Sequence, residues 1–255
     1  MSDEVLTERR DNVLVITLNR PEARNAVNEG LAKGVAAAID ELDGDDSLWV
    51  GIITGTGGTF CSGMDLKGFL RGENPTVPGR GFAGLTQAPP RTPLIAAVEG
   101  WALAGGCEVV LSCDLVVASR EAKFGIPEVK RGLVAGAGGL LRLPKRIPYH
   151  LAMEFALTGE PVDAETAKSY GLVNRLAEPG KALDVALELA ALVSANGPLA
   201  VATTKEIVRK ASSDWTEEEA WAKQGELLPP VFASEDAREG ATAFAEKRPP
   251  VWKGR

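Results

Sequence analysis

Histidine occurs once in 255 residues, at His150, and cysteine three times, at Cys61, Cys107 and Cys113. There is no Cys-x-x-Cys pair, which excludes a zinc site built from histidine and cysteine. An odd cysteine count without a secretory segment predicts reduced thiols in a cytoplasmic setting. The first ten residues, MSDEVLTERR, are charged and lack the apolar centre of a signal peptide. No apolar run approaches the roughly 18 residues that a transmembrane helix needs. Basic residues are also short: 28 Lys and Arg face 35 Asp and Glu, a net charge of -7. That excludes the basic footprint by which proteins hold nucleic acid or an anionic membrane surface. GTGG at 55–58 matches neither the Walker pattern nor G-x-G-x-x-G, so nucleotide binding through a glycine loop is not expected. Ser62 has no Gly-x-Ser-x-Gly context, and His150 follows RIPY in a helical region as a surface or packing residue. A nucleophilic triad is therefore absent, and no solenoid-type repeat is present.

What is present is a chain that is 45% hydrophobic. At this length one domain buries roughly three quarters of the surface its unfolded chain exposes. NVLVITLN (12–19), WVGIITG (49–55), PLIAAVEG (93–100) and DLVVAS (114–119) are short apolar runs, as strands buried on both faces would be. Helical patterns lie between them. From Asn28, a candidate N-cap, the residues Leu31, Val35, Ile39 and Leu42 share one stripe, which Asp43-Gly44 ends. Such alternation predicts an α/β fold with parallel neighbours. Asp163 caps a short helix that Gly171 closes, KALDVALELAALVSANG is a long amphipathic helix, and Thr216 with Glu219 forms a capping box. Residues from about 198 to 255 read as wholly helical. The segment 71–93 is rich in Gly, Pro and Arg without periodicity, and reads either as a mobile surface loop or as a lid or wall over a site.

Candidate chemistry clusters after two strands. GIITGTGGTFCSGMDL brings Gly63-Met64-Asp65 into one turn, and IAAVEGWALAGGCE brings Gly105-Gly106 to the start of a helix. Glycine permits close backbone approach, and a helix start leaves N–H groups free. Two such groups converging on one carbonyl oxygen would form an oxyanion hole. Glu108 falls in the first turn after Gly105, near those N–H groups, and runs directly into Val109, Val110 and Leu111. Glutamate is rarely buried without a partner. Glu128, after Pro127, supplies a second carboxylate. Taken singly each is better explained structurally. Facing one site, two carboxylates push their pKa values apart, so that one holds a proton while the other accepts one.

The ordered pieces NRPEARNA, GTFCSGMDL, AAVEGWALAGGCE, CDLVVAS, FGIPEV and GLVNRLAEP resemble the crotonase (enoyl-CoA hydratase/isomerase) superfamily from about residue 4 to the end. The resemblance implies a spiral of β-β-α units over residues 1–197 carrying an acyl-CoA site. Residues 198–255 would be a helical region for assembly into a homotrimer, or a hexamer as a dimer of trimers. It implies oxyanion-hole N–H groups from Met64 and Gly105, and catalytic Glu108 and Glu128 as in the hydratases. A coenzyme A site would be lined by Arg24, Ala26, Met64, Asp65, Leu66, Lys67 and Gly105, with Lys247 of a neighbouring subunit as a further phosphate contact. Coenzyme A enters as part of the substrate, and no metal or redox cofactor is expected. The implied reaction is addition of water to a 2-enoyl-CoA, with isomerisation, a crotonobetainyl-type substrate or acyl-CoA binding without turnover as alternatives. Met64, Ala104, Ala135 and Trp101 depart from the common pattern and bear on acyl specificity.

Overall fold

The computed structural model describes residues 4–255. The chain begins with strands β1 (Val5–Arg10) and β2 (Val13–Leu18), helix α1 (Glu29–Gly44) and strand β3 (Val50–Gly55). A short helix α2 (Leu66–Leu70) and a small hairpin of β4 (Thr76–Val77) and β5 (Gly81–Phe82) follow. Next come β6 (Leu94–Val98), β7 (Trp101–Leu103), α3 (Gly105–Ser112), β8 (Leu115–Ser119) and β9 (Lys123–Gly125). A 3₁₀ turn at Pro127–Arg131 leads to α4 (Gly139–Arg146), α5 (Tyr149–Thr158), β10 (Val162–Asp163), α6 (Ala164–Tyr170) and β11 (Arg175–Ala177). The rest is helical: α7 (Ala182–Ser194), α8 (Pro198–Ala211), α9 (Glu217–Phe232) and α10 (Glu235–Glu246).

A six-stranded sheet runs β1-β2-β3-β6-β8-β11. All its pairs are parallel except β1 with β2. A second sheet, β10-β9-β7, stands beside it. After β6 the chain crosses to β7 and then enters α3; after β8 it crosses to β9 and then enters the 3₁₀ turn. These two turns of the spiral each place one strand in each sheet and then a helical element, which is the β-β-α winding implied by the resemblance. Both faces of the large sheet are covered, so its central strands are apolar throughout. Leu14, Ile16 and Leu18 of β2 join a core with Leu31, Val35 and Ile39 of α1. Val13 and Val15 face the other way, with Ala182, Ala186 and Ala190 of α7. Burying each such large aliphatic side chain contributes about 1.5–3 kcal/mol.

The caps read from sequence are formed. Asn28 accepts from Leu31 N at 2.9 Å, Asp163 from Thr166 N at 2.8 Å, and Gly171 closes α6 in the left-handed region. Thr216 and Glu219 complete the capping box. One expectation is corrected, for residues 198–255, and two segments gain detail that sequence did not supply. The charged N-terminal stretch, whose residues 1–3 lie outside the described residues, contains β1. As an edge strand it buries only Val5, and its arginines pair outward: Arg9 with Glu41 and Asp45, Arg10 with Glu8. Residues 198–255 are not helical to the end, because Lys247 turns left-handed (φ 57°) and the following prolines keep the tail extended. The 71–93 segment is neither structureless nor a free loop: Ala83, Leu85 and Thr86 are buried in it.

Candidate active site

Strand β3 ends at Gly55, and the chain then approaches the second sheet: Cys61 N donates to Trp101 O and Cys61 O accepts from Leu103 N at 3.0 Å. The turn at Met64 is pinned from its other side. Val27 N donates to Gly63 O at 2.8 Å, and Val27 O accepts from Asp65 N at 2.9 Å. In that parallel bridge the groups of residues 63 and 65 face Val27, so the N–H of Met64 points away from it. Gly105 opens α3, where an N–H has no acceptor within the helix. Among the described residues neither the Met64 N–H nor the Gly105 N–H donates to a protein acceptor. The two turns touch: a Cβ added to Gly63 (φ 99°) would lie 2.9 Å from Ala104 Cβ and 3.4 Å from Gly105 N. Two free N–H groups from separate turns therefore lie close together.

Ala104, the residue before Gly105, has φ 51° and ψ −127°. Only glycine adopts such a conformation without strain of about 1–3 kcal/mol. Ala104→Gly is therefore expected to raise stability by about 1 kcal/mol in urea unfolding, with turnover unchanged because the backbone donor stays in place.

Glu108 is 3% exposed. Its carboxylate is not held by the N–H groups of its own helix, as its position in the first turn suggested. Oε1 instead accepts from Ala137 N at 2.7 Å and from Gly139 N, at the start of α4, at 2.8 Å. Gly138, in the left-handed region at φ 100°, turns both donors toward it. Burial pushes the Glu108 pKa up to about 7 and repulsion from Glu128 adds to this, while the two N–H donors oppose it. Glu128 sits at the second residue of the 3₁₀ turn, half-buried, and its Oε2 is buried without a hydrogen-bond partner among the described residues. Burial also raises its pKa. Glu108 thus lies within reach of the Glu128 charge, and both carboxyls are biased toward the protonated form.

The remaining candidates fall around the 62–67 turn. Arg24 is exposed and its carbonyl accepts from Ser62 N, Ala26 is buried, and Leu66 and Lys67 are exposed in the first turn of α2. The Asp65 side chain is already engaged. It accepts from Lys67 N and Gly68 N, and pairs with Arg20 at 3.0 Å. The Gly68 N–H, followed by Arg20, holds its pKa below the usual carboxylate range. Lys247 caps α10, within the C-terminal helices. Met64 and Trp101 are partly exposed and Ala135 is buried. Cys61, buried between the two turns, is no nucleophile at neutral pH, since burial pushes its thiol up to about 12. No three His, Cys, Asp or Glu side chains are grouped as a metal would require among the described residues.

Reading by residue type passed over several supports. Asn25, fully buried at φ 54°, donates to Thr56 O and Thr59 O and accepts from Arg20 N. Arg20 bonds Ala26 O and Asp65, and pairs with Glu4. Both lie inside NRPEARNA, so the signal was present as a motif but not as chemistry. Phe82 of β5 packs its ring on Gly105, where a Cβ would come within 2.5 Å of its Cζ. The 71–93 segment is therefore a wall of the site.

The family description "Enoyl-CoA hydratase/isomerase" matches residues 8–255. The chain belongs to the enoyl-CoA hydratase/isomerase family. It is 66% identical to a probable enoyl-CoA hydratase/isomerase from Mycobacterium abscessus, with a TM-score of 0.96 and full coverage of both chains (100%). Against an enoyl-CoA hydratase from Mycobacterium tuberculosis the identity is 60%, the TM-score 0.97 and the coverage 99% of each chain. Curated relatives include a carnitinyl-CoA dehydratase of Salmonella paratyphi A, 44% identical over 100% of both chains. Within this crotonase-type family the spiral fold is shared, and the chain is an enzyme of the hydro-lyase kind.

Proposed function

We propose that the chain adds water across the double bond of a 2-enoyl-CoA thioester. The observation that supports the reading is a buried carboxylate, Glu108, under the charge of a half-buried one, Glu128, on the helix whose first residue, Gly105, has a free N–H beside the Met64 turn. Water attacks C3 and gives its proton to Glu108. Electrons of the double bond move to the thioester oxygen, where the N–H groups of Met64 and Gly105 stabilise the enolate, an effect of several kcal/mol. As the carbonyl re-forms, C2 takes a proton from Glu128. Glu108 then returns its proton to Glu128 through water. The division of roles follows the surroundings: two N–H donors receive the charge on Glu108, whereas Glu128 Oε2 has no donor among the described residues and favours carrying a proton.

Hydration of crotonyl-CoA, followed by loss of enoyl absorbance, tests the reading beside 3-enoyl and carnitinyl thioesters over a range of acyl lengths. Double-bond migration without hydration would replace it with isomerisation, and tight binding without turnover with a non-catalytic role. Identity to a carnitinyl-CoA dehydratase supports a second reading, the same chemistry on a charged acyl group. No metal or redox cofactor is called for, and coenzyme A arrives with the substrate.

For the coenzyme A portion, Arg24 and Lys67 are exposed cations without an ion-pair partner among the described residues. They suit its phosphates, with Ala26 and Met64 to Lys67 lining the adenine. Lys67→Ala is expected to raise KM several-fold and leave kcat unchanged, the signature of lost uniform binding. Residues 1–197 would carry the site and 198–255 the assembly surface, with Lys247 reaching a neighbour. Trp221, Phe232 and Phe244 of the C-terminal helices are exposed, as surfaces awaiting a partner are. A homotrimer or hexamer is expected by light scattering, and a stable monomer would count against it. No single helix among the described residues is long and apolar enough to cross a membrane, and a cytoplasmic location remains part of the proposal.

A further inference from the structure

We propose that Arg142 is a positioning residue that ties the hydrogen-bond donors of Glu108 to the wall of the site. The inference rests on the reading of Glu108 as the base. Arg142 lies on α4, one turn after the Ala137–Gly139 turn whose N–H groups hold Glu108 Oε1. Its backbone N donates to Gly138 O at 3.0 Å. Its guanidinium folds back beneath Gly138: a Cβ there would run into Nη1 and come within 3.3 Å of Cζ. Nη2 donates to Thr86 O. Thr86 is buried, and its N–H bonds Phe82 O, so the same short turn carries the ring packed on Gly105.

One side chain thus spans two parts of the site. On one side it braces the turn that aims two N–H groups at Glu108. On the other it fixes the turn that sets Phe82 against the Gly105 donor. Helix α3 also touches both segments, through Gly105 and Glu108, and Arg142 adds a direct tie between them that bypasses it. The left-handed Gly138 serves the same arrangement, since any side chain there would displace the guanidinium. Burial lowers the Arg142 pKa, yet a guanidinium remains a cation at neutral pH. It is the cation that faces Glu108 from α4. Glu128 faces it from the 3₁₀ turn, and the buried Cys107 lies beside it on α3. Arg146 and Arg209 in turn act on Arg142 itself.

Arg142→Met and Arg142→Lys separate bracing from charge. The Glu108 carboxyl is followed by infrared titration, its band assigned by its loss in Glu108→Gln, so the readout does not depend on turnover. Arg142→Met, folded by circular dichroism, is expected to lower kcat about tenfold with KM within twofold. It should also move the Glu108 midpoint upward by about half a pH unit, because a cation favouring the carboxylate is gone. Arg142→Lys keeps the charge but not the fork, so the midpoint returns toward the parent value while kcat stays several-fold low. A folded Arg142→Met with the parent midpoint and parent kcat overturns the inference. If Arg142→Met does not fold, parent kcat in Arg142→Lys overturns it. Near-normal turnover in Glu108→Gln would instead remove the base assignment, and the infrared midpoint would still report whether Arg142 acts on Glu108.

Discussion

Glu108→Gln and Glu128→Gln are each expected to lower kcat for crotonyl-CoA hydration about a thousandfold, with KM little changed, because positioned acids and bases contribute roughly 10²–10⁴. Gln keeps the shape of each side chain, and at 108 its Oε1 still accepts from Ala137 N and Gly139 N. The loss is therefore a loss of proton transfer and not of folding. The pH profile sharpens the assignment. A base must be ionised to act, so kcat/KM should climb through about pH 7 as Glu108 loses its proton, and Glu108→Gln should lack that limb. Stability moves in the opposite sense. Glu108 titrates at about 7 in the folded chain, above its ordinary value of 4.5, so folding favours its protonated form. That contribution is complete below the unfolded value and is lost as pH rises through 7. At pH 8 the parent buries a charge that Gln does not carry, and Glu108→Gln should be the more stable by on the order of 2 kcal/mol in urea unfolding. A variant that is catalytically poor yet more stable at high pH is what a functional buried carboxylate predicts. Near-normal turnover in both variants would sink the mechanism.

The legible parts of the fold were those with local signals. Asn28, Asp163 and the Thr216–Glu219 box announce helix starts through their own side chains. The apolar runs of β2, β3, β6 and β8 announce strands covered on both faces. Strand β1 escaped because, as a single-sided edge, it shows charge where a buried strand shows valine. Strands β7 and β9 are only three residues each, too short for periodicity to register, and pairing rather than composition makes them strands. At the site, residue type marked Glu108 and Glu128 and glycine placement marked two turns, while the resemblance to the crotonase superfamily singled out Met64 and Gly105 within them. What sequence could not mark was the source of the Glu108 hydrogen bonds. The donors are backbone N–H groups 29 and 31 residues away, and a main chain carries no residue-type signal. Phe82 was hidden for a related reason: its segment has no period, and its role appears only where its ring meets Gly105.

Gly106→Ala is expected to cost about 3 kcal/mol or more, the upper end of overpacking, and so to lower Tm by roughly 6–12 °C in a chain of this size. Glycine is required here for lack of room, since Gly106 is not among the residues with positive φ. A Cβ would run into the Cys61 carbonyl oxygen and lie 2.8 Å from its carbon. That carbonyl cannot retreat cheaply. It accepts from Leu103 N, and Cys61 N donates to Trp101 O, so moving it unzips the join between the Cys61 segment and β7. The same join holds the Met64 turn beside the start of α3. Any Gly106→Ala protein that does fold should therefore lose its donor geometry as well, and kcat should fall about a hundredfold, the scale of losing one oxyanion-hole donor. Gly105→Ala provides the contrast. Its Cβ meets the ring of Phe82, a half-buried side chain that can swing outward. That variant should keep its Tm within a few degrees and lose activity through a displaced wall. Differential scanning calorimetry with steady-state kinetics on both variants separates the two cases. A Gly106→Ala protein with parental Tm and kcat would show that the close approach of α3 to Cys61 does not govern the site.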